Sequence, residues 1–209
     1  MERYARNRMG AISMMLKLGP IALIYPIPIA LAGANVEGRA NFATIGDCGI
    51  MGLMPPLVYI SLHEDHFTTR GVIANHTFSI NLPSTELLSL TDYCGIVSGR
   101  EVDKSARFEI FYGELGSAPM IAECRANLEC RVVNSFQIQP RHVFVGRVVQ
   151  TYVDEACLEE QDGRRVITDM RQLDPIIYAL DNRYYRIGEP IGVGYQEGQK
   201  HQDDRHTEA

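Results

Sequence analysis

The chain has 209 residues, with 26 acidic and 20 basic side chains, a formal net charge of −6 and a sequence pI near 5.5. Hydrophobic residues make up 45% and charged residues 22%, ordinary globular values that exclude a disordered, collagen-like or polytopic membrane protein. At about 150 residues per domain the length allows one to two domains, and a single barrel of this size is common. The acidic balance gives no support to a nucleic-acid surface, which wants a basic stripe. The composition has one oddity: 10 Tyr and 7 Phe but no Trp.

The five cysteines, Cys48, Cys94, Cys124, Cys130 and Cys157, are odd in number and no two are spaced C-x-x-C. That argues against a disulfide framework, a zinc ribbon and a thioredoxin-type dithiol. Reduced, mostly buried thiols in a cytoplasmic protein are the simpler reading.

Residues 1–17 read as an N-terminal extension. Leu18 to Val36 contain no charge and follow Arg3, Arg6, Arg8 and Lys17, and Ala30-Leu31-Ala32 resembles a small-x-small cleavage site, so a signal peptide is weighed. Pro20, Pro26 and Pro28 oppose it, because each removes a donor and clashes with the preceding turn of a helix. They oppose a membrane span for the same reason. A buried strand near Ile27–Ala34, entered through Pro26 and Pro28, explains the run better.

Further along, Val36-Glu37-Gly38-Arg39 is a tight turn into a strand over Ala40–Ile45. Pro55-Pro56 breaks the chain before an apolar strand, Leu57–Leu62. Thr68 or Thr69 caps a short helix that ends at Asn75-His76-Thr77. Thr77–Leu82 alternates as a strand, and Ser84 or Thr85 opens a helix to about Tyr93. Gly95–Arg107 is a polar loop. Leu128–Val133 and His142–Val153 are strands, and Glu160–Arg164 is a hairpin turn. Asp174-Pro175 begins an irregular segment carrying Tyr178, Tyr184 and Tyr185. Residues 195–209 are a polar tail whose composition suits disorder. Many short strands and few helices predict a mainly β fold, a closed or half-open β-barrel with helical inserts, over residues 18–194.

No Ser-His-Asp set, H-E-x-x-H, P-loop or G-x-G-x-x-G after a strand occurs, and no catalytic residue is assigned. Four constellations have chemical content. Ser61 to Arg70 joins a strand end to a helix start, where free amides and the positive dipole end suit an anion; Ser61, Thr68 and Thr69 add hydroxyls and Arg70 a charge. Ser98 to Lys104 places Arg100 and Lys104 in a flexible loop. Asn41-Phe42-Ala43-Thr44 carries an amide and a hydroxyl at i and i+3. His142 opens a strong strand. Taken singly, each is explained as well or better by capping, solvation or structure, and His63 with His66 lacks a third metal ligand.

In order, these pieces resemble a known family. Leu18-Gly19-Pro20 to Pro26, Gly38-Arg39-Ala40-Asn41-Phe42-Ala43-Thr44, Pro55 to Leu62, and Phe78-Ser79-Ile80-Asn81-Leu82-Pro83 are similar to the flavin reductase-like family. So are Asp92 to Lys104, His142 to Val148 and Tyr184 to Glu189. The likeness covers about 18–194, and within the family it is to the flavoredoxin type. The resemblance implies an FMN-binding split β-barrel that is homodimeric, with non-covalent FMN at the interface and NADH or NADPH as donor. It implies that Asn41, Phe42, Ala43 and Thr44 meet the flavin, chiefly through Asn41 and Thr44. Ser61, Leu62 and His63, with Thr68 and Arg70, would hold the phosphate, and Asn81 would belong to the same cofactor set. Ser98 and Arg100 would shape a loop that brings Lys104 to the ring or the phosphate. His142 would line the site and Tyr178 would pack near the ring.

Two departures stand out. Where relatives carry a Trp near the flavin, this chain has Asp47, a carboxylate that would lower the flavin's potential if it faced the ring, or else points to solvent. A basic residue of the strand-to-helix loop is replaced by His63 or His66, which makes phosphate affinity depend on pH. The implied function is an FMN-dependent oxidoreductase passing hydride or electrons between NAD(P)H, flavin and an acceptor. The alternatives are a non-catalytic electron carrier serving another redox protein and a barrel that has lost flavin.

Overall fold

The computed structural model describes residues 4–6 and 12–199, so parts of the expected N-terminal extension and most of the expected tail lie outside the described residues. The principal strands are β1 (Ala30–Val36), β2 (Arg39–Ile45), β3 (Cys48–Gly52), β4 (Leu57–His63), β5 (Thr77–Leu82), β6 (Ala126–Ile138), β7 (Arg141–Val153), β8 (Ile176–Ala179) and β9 (Arg183–Arg186). Two helices join them, α1 (Phe67–Asn75) and α2 (Leu88–Ile96).

Seven strands form one antiparallel sheet in the order β2-β1-β5-β6-β7-β4-β3. Its two edge strands, β2 and β3, are consecutive in sequence and separated only by Gly46 and Asp47. A sheet whose opposite edges are tied by two residues must curl until they meet, which removes most of the exposed edge. At the corner the Ser61 N–H donates to the Asp47 carbonyl at 2.8 Å, extending the β3–β4 pairing by one residue. This is the half-open barrel expected from the strand pattern.

Inside the curl, Ala30, Ala32 and Ala34 of β1 face Val58, Ile60 and Leu62 of β4, with Phe78, Ile80, Cys130 and Phe144 between them. Leu57–His63 alternates strictly between half-buried and buried, as a period-two strand lining a barrel must. β1 does not alternate, because its other face is also covered. Leu31 and Phe42 of that face pack with Cys94, Phe108, Ile121 and Cys124, beneath α2 and the segment that follows it. Burial on both sides is what makes the stretch read as one apolar run.

The turn between β1 and β2 holds Glu37 at φ 54° and Gly38 at φ 81°, the doubly left-handed turn that matches strand twist. Other elements differ from the sequence reading. The strand expected near Ile27–Ala34 is present but split, Ile27–Pro28 pairing with β8 and Ala30–Val36 forming β1, and residues 18–25 before it are an exposed strap. α1 starts one residue before Thr68, with His66 at the N-cap and no capping side chain. Thr69 instead spends its hydroxyl on the His63 carbonyl at 2.8 Å. α2 follows a 3₁₀ turn at Thr85–Leu87 and runs to Ile96. β6 extends to Ile138, beyond the expected Val133, and the expected irregular segment after Pro175 is the hairpin β8–β9. Both were missed because these strands are largely solvent-facing and lack the apolar alternation that marks a strand. Four of the cysteines are buried and Cys48 is half-buried.

Candidate functional site

Two clefts open side by side where α1 meets the barrel seam. The first, about 280 Å³, lies between β2, the N-terminus of α1, the C-terminus of α2 and the loop after it. Its wall is fixed by Asn41, whose Nδ2 donates to Thr68 Oγ1 at 2.7 Å and ties β2 to α1. Thr44 Oγ1 likewise donates to the Thr91 carbonyl, tying β2 to α2. The loop packs so tightly over Asn41 that a Cβ on Gly99 would stand 1.9 Å from Asn41 Oδ1, so any side chain there would have to push the Asn41 amide aside. Arg39 holds the loop down by donating to the Gly99 carbonyl at 2.8 Å.

Lys104 is the distinctive group of this cleft. It is 4% exposed, and its Nζ donates to the carbonyls of Cys94 and Val97 at 3.0 and 3.1 Å. No carboxylate pairs with it among the described residues. Burial pushes its pKa down. An ammonium has three donors, and burying one without a counter-ion is costly unless an anion arrives. At the same cleft the first turn of α1 contains no acidic residue and no capping side chain. Its early amides and the dipole therefore face the opening without a carboxylate of their own. Together these features have the chemistry that suits an anion.

The second cleft, about 600 Å³, sits over the seam and is walled by Tyr25, Pro26, Pro28, Asp47, Tyr59 and Arg141, among others. Arg141 opens β7, and its guanidinium is held by Ser61 of β4: Nε donates to Ser61 Oγ at 3.1 Å and Nη2 to the Ser61 carbonyl at 2.7 Å. Nη2 also donates to Asp47 Oδ2. The Cys48 thiol at this cleft is pushed up to about 11, by burial first and then by Asp47. His66 stands between the clefts. Burial lowers its pKa most, Arg141, His63 and Lys104 lower it further, and Asp65 opposes them.

The expected site residues divide accordingly. Asn41, Ala43, Thr44, Thr68, Ser98 and Lys104 come together at the first cleft. Asp47 and Ser61 come together at the second, with Tyr178 behind its wall, 6.4 Å from the Tyr25 ring. His63 lies between, its ring centroid 5.9 Å from that of His66. The rest are not brought to either cleft. Phe42 and Leu62 are core side chains. Asn81 is fully buried and knits the sheet, donating to the Leu31 carbonyl at 2.7 Å and accepting from the Ile121 N–H at 3.0 Å. Arg70 lines a separate hollow beside Asn35 and Gly38, because on a helix it points away from the face that Thr68 presents. Arg100 is exposed on the loop. His142 stacks flat on Phe144, centroids 4.2 Å apart, beside the barrel interior; alternation along β7 sends it away from the Arg141 side. Asp47 does not stand as a lone carboxylate, because Arg141 neutralises it.

His66, Cys94, Val97, Gly99 and Arg141 were missing from the expected set. His66 reads from sequence only as a replacement for a basic residue of the strand-to-helix loop, with Thr68 or Thr69 expected to cap α1. Arg141 had no local signal, since its partners lie 80 and 94 residues away.

This chain belongs to the family described as the flavin reductase like domain, whose model matches residues 22–187. Solved structures agree. It is 38% identical to flavoredoxin from Methanosarcina acetivorans, with a TM-score of 0.84 over 90% of this chain and 99% of that one. To flavoredoxin of Desulfovibrio vulgaris it is 30% identical, with a TM-score of 0.80 over 88% and 100%. To an FMN-binding protein from Thermus thermophilus with bound p-hydroxybenzaldehyde it is 25% identical, with a TM-score of 0.70 over 86% and 98%.

Proposed function

We propose that the protein is an FMN-dependent oxidoreductase. The carrying observation is Lys104, a buried ammonium without a carboxylate partner, beside an uncapped helix N-terminus. FMN, when bound, supplies hydride and electron transfer. The chain's own residues bind and orient it. The α1 N-terminus, Thr68 and Lys104 receive its phosphate, and Asn41 and Thr44 hold the wall against which the rest of the molecule lies. In the second cleft Tyr25 and Tyr59 would offer flat surfaces to a planar partner of the bound group. That partner is a nicotinamide donor, or a planar carbonyl compound of the kind named for the Thermus thermophilus relative. Such transfer needs the reactants held face to face and no acid–base dyad.

The same reading includes a homodimer. Ile50, Met51, Leu53 and Met54 around the edge strand β3, with Leu18, Leu23 and Ile24 of the strap, are strongly exposed, and Ile24 also lines the second cleft. A second copy covering them would shelter the flavin. The buried thiols and the fold suit the cytoplasm. The visible spectrum tests the assignment. The purified protein, or the protein after adding FMN, should show bound-flavin absorbance that bleaches on adding NADH or NADPH. A colourless protein that leaves added FMN free overturns it. The likeness to two flavoredoxins favours a second reading, an electron carrier serving another redox protein. Bound FMN that never bleaches with either nucleotide selects that reading.

A further inference from the structure

Arg141 is built to hold something. Its guanidinium is fixed by the Ser61 hydroxyl and carbonyl, both on the neighbouring strand, so its position does not depend on Asp47. Nη1 makes no hydrogen bond to a described residue. The Arg141 side chain is 33% exposed and the Asp47 side chain 62%. Asp47 also lies on the two-residue corner between β2 and β3, with its backbone pinned by Ser61. The fork is therefore preformed and partly open, and its carboxylate is the more exposed, more easily released half of the pair. An exposed ion pair of this kind contributes little and is readily exchanged. The cleft in front of the fork is walled by Tyr25, Tyr59, Pro26 and Pro28, flat apolar surfaces suited to a planar body.

We propose that Arg141 is a specificity-determining residue that seats the carboxylate of a planar substrate in the second cleft, with Asp47 occupying the fork as an internal stand-in until the substrate displaces it. Asp47 itself indicates the class of ligand. A carboxylate already fits the open side of the guanidinium, and Arg prefers two parallel bonds to a carboxylate over one. The substrate's planar body then lies along the tyrosines, toward the first cleft. The inference deepens the proposed function by giving the reactant a charge, and it rests on that reading only for which ring the substrate meets.

The probes are 4-hydroxybenzoate and p-hydroxybenzaldehyde, which share a ring and hydroxyl and differ in carrying a carboxylate or an aldehyde. Calorimetric titration of the full chain, with and without FMN, measures both. Wild type should bind the carboxylate at least threefold tighter than the aldehyde. Arg141→Gln should lower carboxylate affinity about tenfold and largely abolish the preference. Arg141→Lys, which keeps the charge and loses the fork, should restore only part of it. Asp47→Asn, which empties the fork of its competitor, should strengthen carboxylate binding about threefold. A wild type that binds no carboxylate or prefers the aldehyde, a preference unchanged in Arg141→Gln, or an Asp47→Asn protein that binds carboxylate no better, overturns the proposal. The FMN-free titration keeps this outcome separate from the flavin reading. A protein that never binds FMN yet shows the Arg141-dependent preference refutes that reading alone.

Discussion

The two clefts are neighbours built on opposite plans. The first is assembled from short runs of sequence. Asn41 to Thr44, His66 to Thr68, and Ser98 to Lys104 each deliver several of its groups within a few residues. Its buried cation, Lys104, has no carboxylate partner among the described residues, although Asp65 lines the same cleft. The second is assembled from residues that share no segment: Asp47, Ser61 and Arg141 meet through the pairing of β3 and β7 on either side of β4, and Tyr25 comes from the strap. Its cation is compensated by Asp47. On the proposed readings, a phosphate held throughout would meet the standing, unpaired charge, and a carboxylate that comes and goes would meet the charge masked by an exchangeable internal partner.

The sharpest way to break this contrast is to remove the unpaired charge. Lys104→Met should weaken FMN binding about 30-fold, since a hydrogen bond from a charged donor is worth roughly 1.5–3 kcal/mol. The melting temperature of the FMN-free protein should change little, because relief from burying an ammonium offsets the two lost carbonyl contacts. Fluorescence titration and calorimetry measure the two quantities. A large loss of stability with unchanged FMN affinity would make Lys104 a structural residue.

A smaller effect is expected from the loop that closes the first cleft. Gly99→Ala drives a methyl into Asn41 Oδ1 and should lower FMN affinity about tenfold, with a drop in melting temperature, while leaving ligand binding in the second cleft nearly intact. Equal damage to both clefts would show that they do not fold as separate constructions.

The smallest effect concerns His66, between the clefts. Its pKa lies below the usual value near 6.5 in the ligand-free protein, by burial and then by Arg141, His63 and Lys104. The imidazolium is thus disfavoured there, and the unfolded chain binds more protons near pH 6. Ligand-free stability should therefore fall as pH drops through 6.5. A bound phosphate reverses the balance by favouring the imidazolium. FMN affinity should accordingly rise about threefold from pH 8 to pH 6.5, while riboflavin, which lacks the phosphate, shows no rise. His66→Gln should flatten the FMN curve. A parallel rise for riboflavin would remove His66 from the phosphate site.

How much of this was legible depended on locality. The S-G-R-x-x-D-K run announced a loop with a cation at its end, and the structure puts Lys104 and Ser98 at one cleft. Arg100 of the same run is simply exposed, because nothing in a sequence says which cation of a loop turns inward. Asn81 sat in the most specific-looking strand motif and proves to be a sheet-knitting side chain, since a buried amide satisfies backbone as readily as it would a ligand. His142 and Arg141 are adjacent, and it is Arg141, not the expected His142, that lines a cleft. In a strand, neighbours face opposite sides, and only the pairing of β7 with β4 sets which side meets Ser61.

The sequence by itself determined the barrel, the tight turn at Glu37-Gly38, the helix at the strand end and the local anion machinery, because strand period, turn chemistry and helix termini are properties of a few consecutive residues. The tertiary structure alone decided what replaces the absent tryptophan. Asp47 is half of an ion pair rather than a lone charge, because the strand order β7-β4-β3 sets its corner beside an arginine 94 residues away in sequence.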